Sequence, residues 1–135
     1  MQAHTLISQT VIRAINPEAD MYKMHVIYPK SERGFFDWGH YIKVHVPMSI
    51  KALNRFTQFN RLSISKPVPG DTSEAFHCIG TVYFDNADQL EGFYKLRDSE
   101  YMKKVADDIS NYTDCDPIFF ITSTSDFLPE SFESA

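Results

Sequence analysis

The sequence predicts an α+β domain with the ferredoxin-like order β-α-β-β-α-β and one four-stranded antiparallel sheet. Three observations carry this prediction. Four short runs rich in aromatic and β-branched residues are bounded by Pro, Gly, Asn or Asp, which is how strands are written in sequence. Helical apolar spacing separates the first run from the second and the third from the fourth. The second and third runs are joined only by a Pro/Gly-containing loop, so the order matches the split βαβ pattern, with one extra helix before the last strand.

Residues 1–20 form an N-terminal extension. Ile7, Val11, Ala14 and Ile15 fit one helical stripe that Asn16-Pro17 ends, and the stretch is either a dimer-clasping arm or an addition of little consequence. The domain proper spans 21–126. Its first strand runs from Met21 to Tyr28, where Met24, Val26 and Tyr28 alternate with Lys23, His25 and Ile27 until Pro29 stops it. Lys30 to Gly34 is a charged loop. A helix then starts at Asp37, a good N-cap, with Phe36 placed to staple onto Tyr41. Pro47 lacks a backbone donor and either kinks this helix or opens a second segment through Ile50, Leu53 and Phe56.

Arg61 to Ser65 is a short strand, Lys66 to Glu74 a loop, and Phe76 to Phe84 a third strand interrupted only by Gly80. Asn86 or Asp88 caps a helix carrying Leu90, Phe93, Tyr94 and Arg97. A further helix, Ser99 to Ile109, sets Met102, Val105, Ala106 and Ile109 on one side. The last strand is Ile118 to Thr122. Residues 127–135 are an acidic tail in which Phe127, Leu128 and Phe132 suggest docking against the domain.

Composition excludes several classes. The net charge is −5 and Lys103-Lys104 is the only adjacent basic pair, so the footprint for a phosphate backbone is missing and no nucleic acid partner is expected. No run of 18 apolar residues is present, and no membrane span is expected. A charged start followed by a long apolar run is also missing, and a cytoplasmic location is the expectation. Cys78 and Cys115 do not make a disulfide scaffold, and Cys78, in an apolar run, reads as a buried thiol. Aromatics make up 14% of the chain, enough for an aromatic cavity, a large interface or a Phe-rich core. Helices cover only one face of such a sheet, so the other needs a cover. A second copy is the simplest one, and a homodimer with sheets face to face is expected.

The stretch Phe36-Asp37-Trp38-Gly39-His40-Tyr41-Ile42-Lys43-Val44-His45 holds the likeliest chemistry. On a helix, Tyr41 and His45 lie on one face with Cβ atoms roughly 5–6 Å apart. An imidazole and a phenol together can donate, accept and move a proton near neutral pH. His45 is either a general acid/base or a helix-terminal His held by the dipole. Tyr41 is either a donor to a substrate oxygen or a core aromatic. His77 faces either the helices, where it would meet His45, or the partner subunit, because strand parity alone does not name the covered face. Tyr28, Asp37, Trp38 and His77 are the candidate substrate-binding residues, with Asp37 also a cap. Phosphate loops, nucleophile elbows and zinc spacings are missing. A triad of His45, His77 and a carboxylate is the one metal site conceivable, and no metal or cofactor is expected.

Several runs resemble the EthD family, a branch of the dimeric α+β-barrel superfamily. Tyr28-Pro29 is similar to the end of its first strand. Phe36-Asp37, Tyr41 and His45-Val46-Pro47-Met48 resemble its signature, with His40 in place of the first of two tyrosines and Met48 in place of Leu. Phe76-His77 with Ile79, Phe84-Asp85, and Asn111-Tyr112-Thr113-Asp114 with Pro117 match further runs in order, over residues 21–122. The resemblance implies pairing into a dimeric α+β barrel. Relatives with that barrel include cofactor-free monooxygenases, cyclases, lactone isomerases, decarboxylases and haem-handling enzymes, so fold and function separate here. The expectation is a small cofactor-free acid/base enzyme of lyase, isomerase, cyclase or decarboxylase type. It would act on an apolar aromatic or lactone-like metabolite, with His45 moving a proton and Tyr41 stabilising an oxyanion. The alternatives are a non-catalytic ligand-binding protein in a catabolic pathway, and a cofactor-free or haem-dependent monooxygenase.

Overall fold

The computed structural model describes residues 21–30, 34–70 and 75–132. The expected N-terminal stripe and parts of the loops at 31–33 and 71–74 lie outside these residues. Strand β1 (Met21–Pro29) is followed by helix α1, β2 (Arg61–Ser65), β3 (Phe76–Phe84), α2 (Ala87–Arg97), α3 (Glu100–Asp107) and β4 (Ile118–Thr124). The sheet order is β2-β3-β1-β4, antiparallel throughout, as the ferredoxin-like pattern requires.

Helix α1 has three parts: an α-turn Trp38–His40, a π-helical turn Tyr41–His45, and an α-helix Val46–Asn54. Asp37 caps it, its carboxylate accepting from the His40 N–H at 3.1 Å, and Phe36 packs edge-on against Tyr41 at 5.1 Å. The helix does not break at Pro47. A proline ring collides with the carbonyl four residues back, and widening the preceding turn relieves that. The Val46 N–H accordingly reaches the Tyr41 carbonyl, five residues back.

Strand register sorts the side chains. Tyr22, Met24, Val26 and Tyr28 pair with Phe84, Val82, Gly80 and Cys78 on the face beneath the helices. Lys23, His25 and Ile27 share the other face with Tyr83, Thr81 and Ile79, and among the described residues no helix covers that face. Two core clusters fill the helix side. One is apolar, around Phe84, Leu90, Phe93, Leu96, Leu53 and Val82. The other is built of Val26, Tyr28, Tyr41, Cys78, Tyr112 and Cys115. Asn86 caps α2, accepting from the Gln89 N–H at 2.9 Å. Gly92 lets α2 lie against the end of α1, since a Cβ there would collide with the Phe56 carbonyl and Thr57. Of the tail residues expected to dock, Phe127 is 74% and Leu128 56% exposed, and the side chain of Phe132 lies outside the described residues. Among the described residues no helix is long and apolar enough to cross a membrane.

Candidate functional site

Tyr41 and His45 are both buried, at 3% and 5% exposure, with ring centroids 5.8 Å apart and nearly parallel. Both line a cavity of about 90 Å³ between helices and sheet. Its floor includes Met24, Val26 and Gly80; its roof includes Met102, Val105 and Ala106 of α3 and Ile109 just beyond it, the four residues expected on one side of that helix. Gly80 matters because an added Cβ would stand 3.2 Å from the Tyr41 hydroxyl. Among the described residues the lining contains no Lys, Arg, Asp or Glu.

His45 is held by a residue that the sequence did not single out. Its Nδ1 lies 3.0 Å from Oδ2 of Asp108, just beyond α3. The other oxygen, Oδ1, accepts from His40 Nε2 at 2.9 Å and from the Asn111 amide at 3.0 Å. Burial works to raise the Asp108 pKa, but these three bonds outweigh it and hold the group below the ordinary carboxylate value. Asp108 is therefore ionised and acts as acceptor, which makes Nδ1 of His45 the protonated nitrogen and Nε2 the basic one. Burial lowers the His45 pKa; Asp108 opposes this and His40 adds to it, and the net direction is down. The imidazole is thus neutral at neutral pH, as a general base must be.

The phenols around it have a different character. Tyr28 and Tyr112 share a 2.6 Å hydrogen bond between hydroxyls. Burial pushes Tyr28 up to about 12, against bonds from Tyr112 and Tyr41 that lower it. Burial also pushes Tyr41 and Tyr112 well above the usual phenol value, and the Cys78 thiol up to about 12. These groups stay protonated and serve as neutral donors rather than bases.

The other candidates are placed separately. Tyr28 lines the cavity. Asp37 is exposed and serves as the cap. Trp38 is half-buried outside the lining, with the Lys66 ammonium 4.1 Å from its ring. His77 sits at a register irregularity of β3, since Tyr28 pairs with Cys78 but Pro29 with Phe76. Its ring lies 5.0 Å from Phe36 rather than beside His45, and its buried Nε2 has no hydrogen-bond partner among the described residues. Among the described residues no three His, Cys, Asp or Glu side chains are grouped to hold a metal ion. The run Asn111-Tyr112-Thr113 braces the site from outside. Asn111 bonds Asp108, Tyr112 bonds Tyr28, and Thr113 donates to the Phe35 carbonyl at 2.8 Å.

Comparison with known proteins bears on this arrangement. A model of the EthD domain matches residues 31–116, more than half of the chain. The fold is similar to that of an EthD-like protein from Ralstonia eutropha JMP134, at 27% identity and a TM-score of 0.63, covering 78% of this chain and 92% of that one. An ethyl tert-butyl ether D family protein from Bacillus halodurans C-125 is similar at 16% identity and TM-score 0.54, covering 76% and 97%. A protein from Nitrosomonas europaea that carries the name of an antibiotic biosynthesis monooxygenase shares the fold at 11% identity and TM-score 0.50, covering 81% and 94%. No curated protein matches.

Proposed function

This chain belongs to the EthD family, and from that premise we propose that it is a small cofactor-free acid/base enzyme. Its substrate would be an apolar aromatic or lactone-like metabolite, and its reaction a lyase, isomerase, cyclase or decarboxylase step. One observation carries this: a neutral imidazole fixed by a buried carboxylate opens onto an apolar cavity beside a protonated phenol. His45 Nε2 takes a proton from a ligand C–H or O–H, and the imidazolium keeps its Nδ1–H on Asp108. Tyr41 donates a hydrogen bond to the oxygen on which negative charge develops. In an isomerisation His45 returns the proton to a second atom of the ligand, which balances the step. Each contribution is worth a factor of roughly 10²–10⁴.

The lining supports a neutral substrate, and so a lyase, isomerase or cyclase step over a decarboxylase step on a carboxylate, because a buried anion with no cation beside it is costly. An apolar cavity of about 150 Å³ takes benzene; at about 90 Å³ this one is smaller, so a single ring requires the lining side chains to move aside. The test is deuterium exchange and product formation with a panel of neutral monocyclic ketones, phenols and lactones. We expect His45→Ala to lower turnover by about 10²-fold or more while the fold persists. Full activity in that variant refutes the role of His45. Binding without exchange or product would favour a ligand-binding protein instead, and oxygen consumption a monooxygenase.

We also propose a homodimer through the sheet face that no helix covers among the described residues. That face carries Ile27, Ile79, Tyr83 and Phe120, and His25 stacks on Phe120 at 4.8 Å. Sedimentation should give twice the chain mass, and a monomer at micromolar concentration contradicts it.

A further inference from the structure

We infer that His40 is a positioning residue for His45: the two imidazoles divide one carboxylate, so the charge on the outer ring sets how tightly the inner ring holds its proton. The geometry is specific. Asp108 presents Oδ2 to His45 at 3.0 Å and Oδ1 to His40 at 2.9 Å. The side chains of His45 and Asp108 are each 7% exposed, whereas that of His40 is 26% exposed. His40 therefore exchanges protons with solvent while His45 meets the cavity. A proton on His40 compensates the Asp108 charge, and less of that charge remains to stabilise an imidazolium at His45. Groups so closely linked titrate as a unit rather than one by one.

The other groups facing the pair do not supply this coupling. Tyr112 lies against both rings, at 6.2 Å from His40 and 4.6 Å from His45, and Tyr41 stacks on His45; all of these phenols remain protonated. Asn111 is uncharged. Asp37 meets His40 through its backbone N–H. The functional consequence is that a proton on His40 keeps His45 unprotonated to lower pH, so the base works over a wider acid range. As a statement about catalysis this rests on the proposed role of His45. As a statement about titration it stands on Asp108 alone, and the test reads titration, so the two can fail separately.

The experiment follows both imidazoles by ¹⁵N NMR across their range, about pH 5 to 8, in the wild-type chain, His40→Gln and His40→Tyr. The expected result is a His45 curve in the wild type with an inflection shared with His40. In either variant that inflection is lost and the His45 midpoint moves upward. Asp108→Asn should move the His45 midpoint downward. A His45 curve that is the same with and without His40 overturns the inference. If neither variant folds, the wild-type curves decide: shared inflections support the coupling, and two independent single-site curves overturn it.

Discussion

The two clusters under the helices bury their side chains to a similar degree and are made of different material. Around Phe84, Leu90 and Leu96 every buried atom is carbon or backbone, apart from the Tyr22 phenol. Around Tyr28, Tyr41 and Tyr112 each ring ends in a hydroxyl, and two thiols, two imidazoles and a carboxylate are close by. The first region contributes stability through area removed from water. The second must also satisfy its polar atoms in a low dielectric, where each unsatisfied group is costly. The difference teaches where chemistry is concentrated in this fold: the second half holds the imidazole–carboxylate pair, while the first half has phenols as its polar ends.

The contrast can be broken most sharply in the apolar half. Phe84→Ala, at a fully buried position, should cost about 3–5 kcal/mol in urea unfolding and leave the histidine titrations of any folded fraction unchanged. A smaller loss is expected in the polar half. Tyr112→Phe removes one partner of the 2.6 Å hydroxyl pair and leaves the Tyr28 hydroxyl with its Tyr41 bond, at about 0.5–1.5 kcal/mol. A double-mutant cycle with Tyr28→Phe should recover part of that loss, because the bond between the two is then already gone. Strict additivity would show that the two hydroxyls do not act as a pair.

The smallest effect is on pH dependence, and it sharpens the comparison. Burial lowers the folded-state pKa of His45, His25 and His77 from 6.5. The unfolded chain takes up protons at these rings as pH falls below about 6.5, while the folded chain resists until its own lower values. Stability from these groups is therefore present above about pH 6.5 and is lost as pH falls through the folded values. The urea midpoint should be lower at about pH 5.5 than at about pH 7.5, and His45→Gln should flatten that slope. An unchanged slope would assign the acid lability to His25 and His77, outside the cavity.

Much of the architecture was legible from local signals. The Asp37 cap, the Phe36–Tyr41 contact and the strand alternation each need only a few neighbouring residues, and the EthD-like runs order them. Asp108 was not legible, because its role depends on the region after α3 meeting α1 across 63 residues of chain. A signal existed in hindsight: two aspartates at the end of a helix oppose its dipole. Asp107 is compensated by Lys103 at 2.8 Å, and Asp108 by the two histidines. His77 was ambiguous for a similar reason. Strand parity places a side chain only where the register is regular, and the register shifts beside it.

The wide turn ahead of Pro47 has a consequence for how this family member tolerates change. A π-turn absorbs one surplus residue, so removing a single residue between Tyr41 and His45 lets it revert to ordinary α-winding while the helix beyond keeps its phase. An added residue, or a second deletion, has no such slack and turns everything beyond it by about 100° while Asp37 holds the start. One deletion in this window is therefore milder than an insertion, and substitutions at its exposed positions, Ile42, Lys43 and Val44, are milder still.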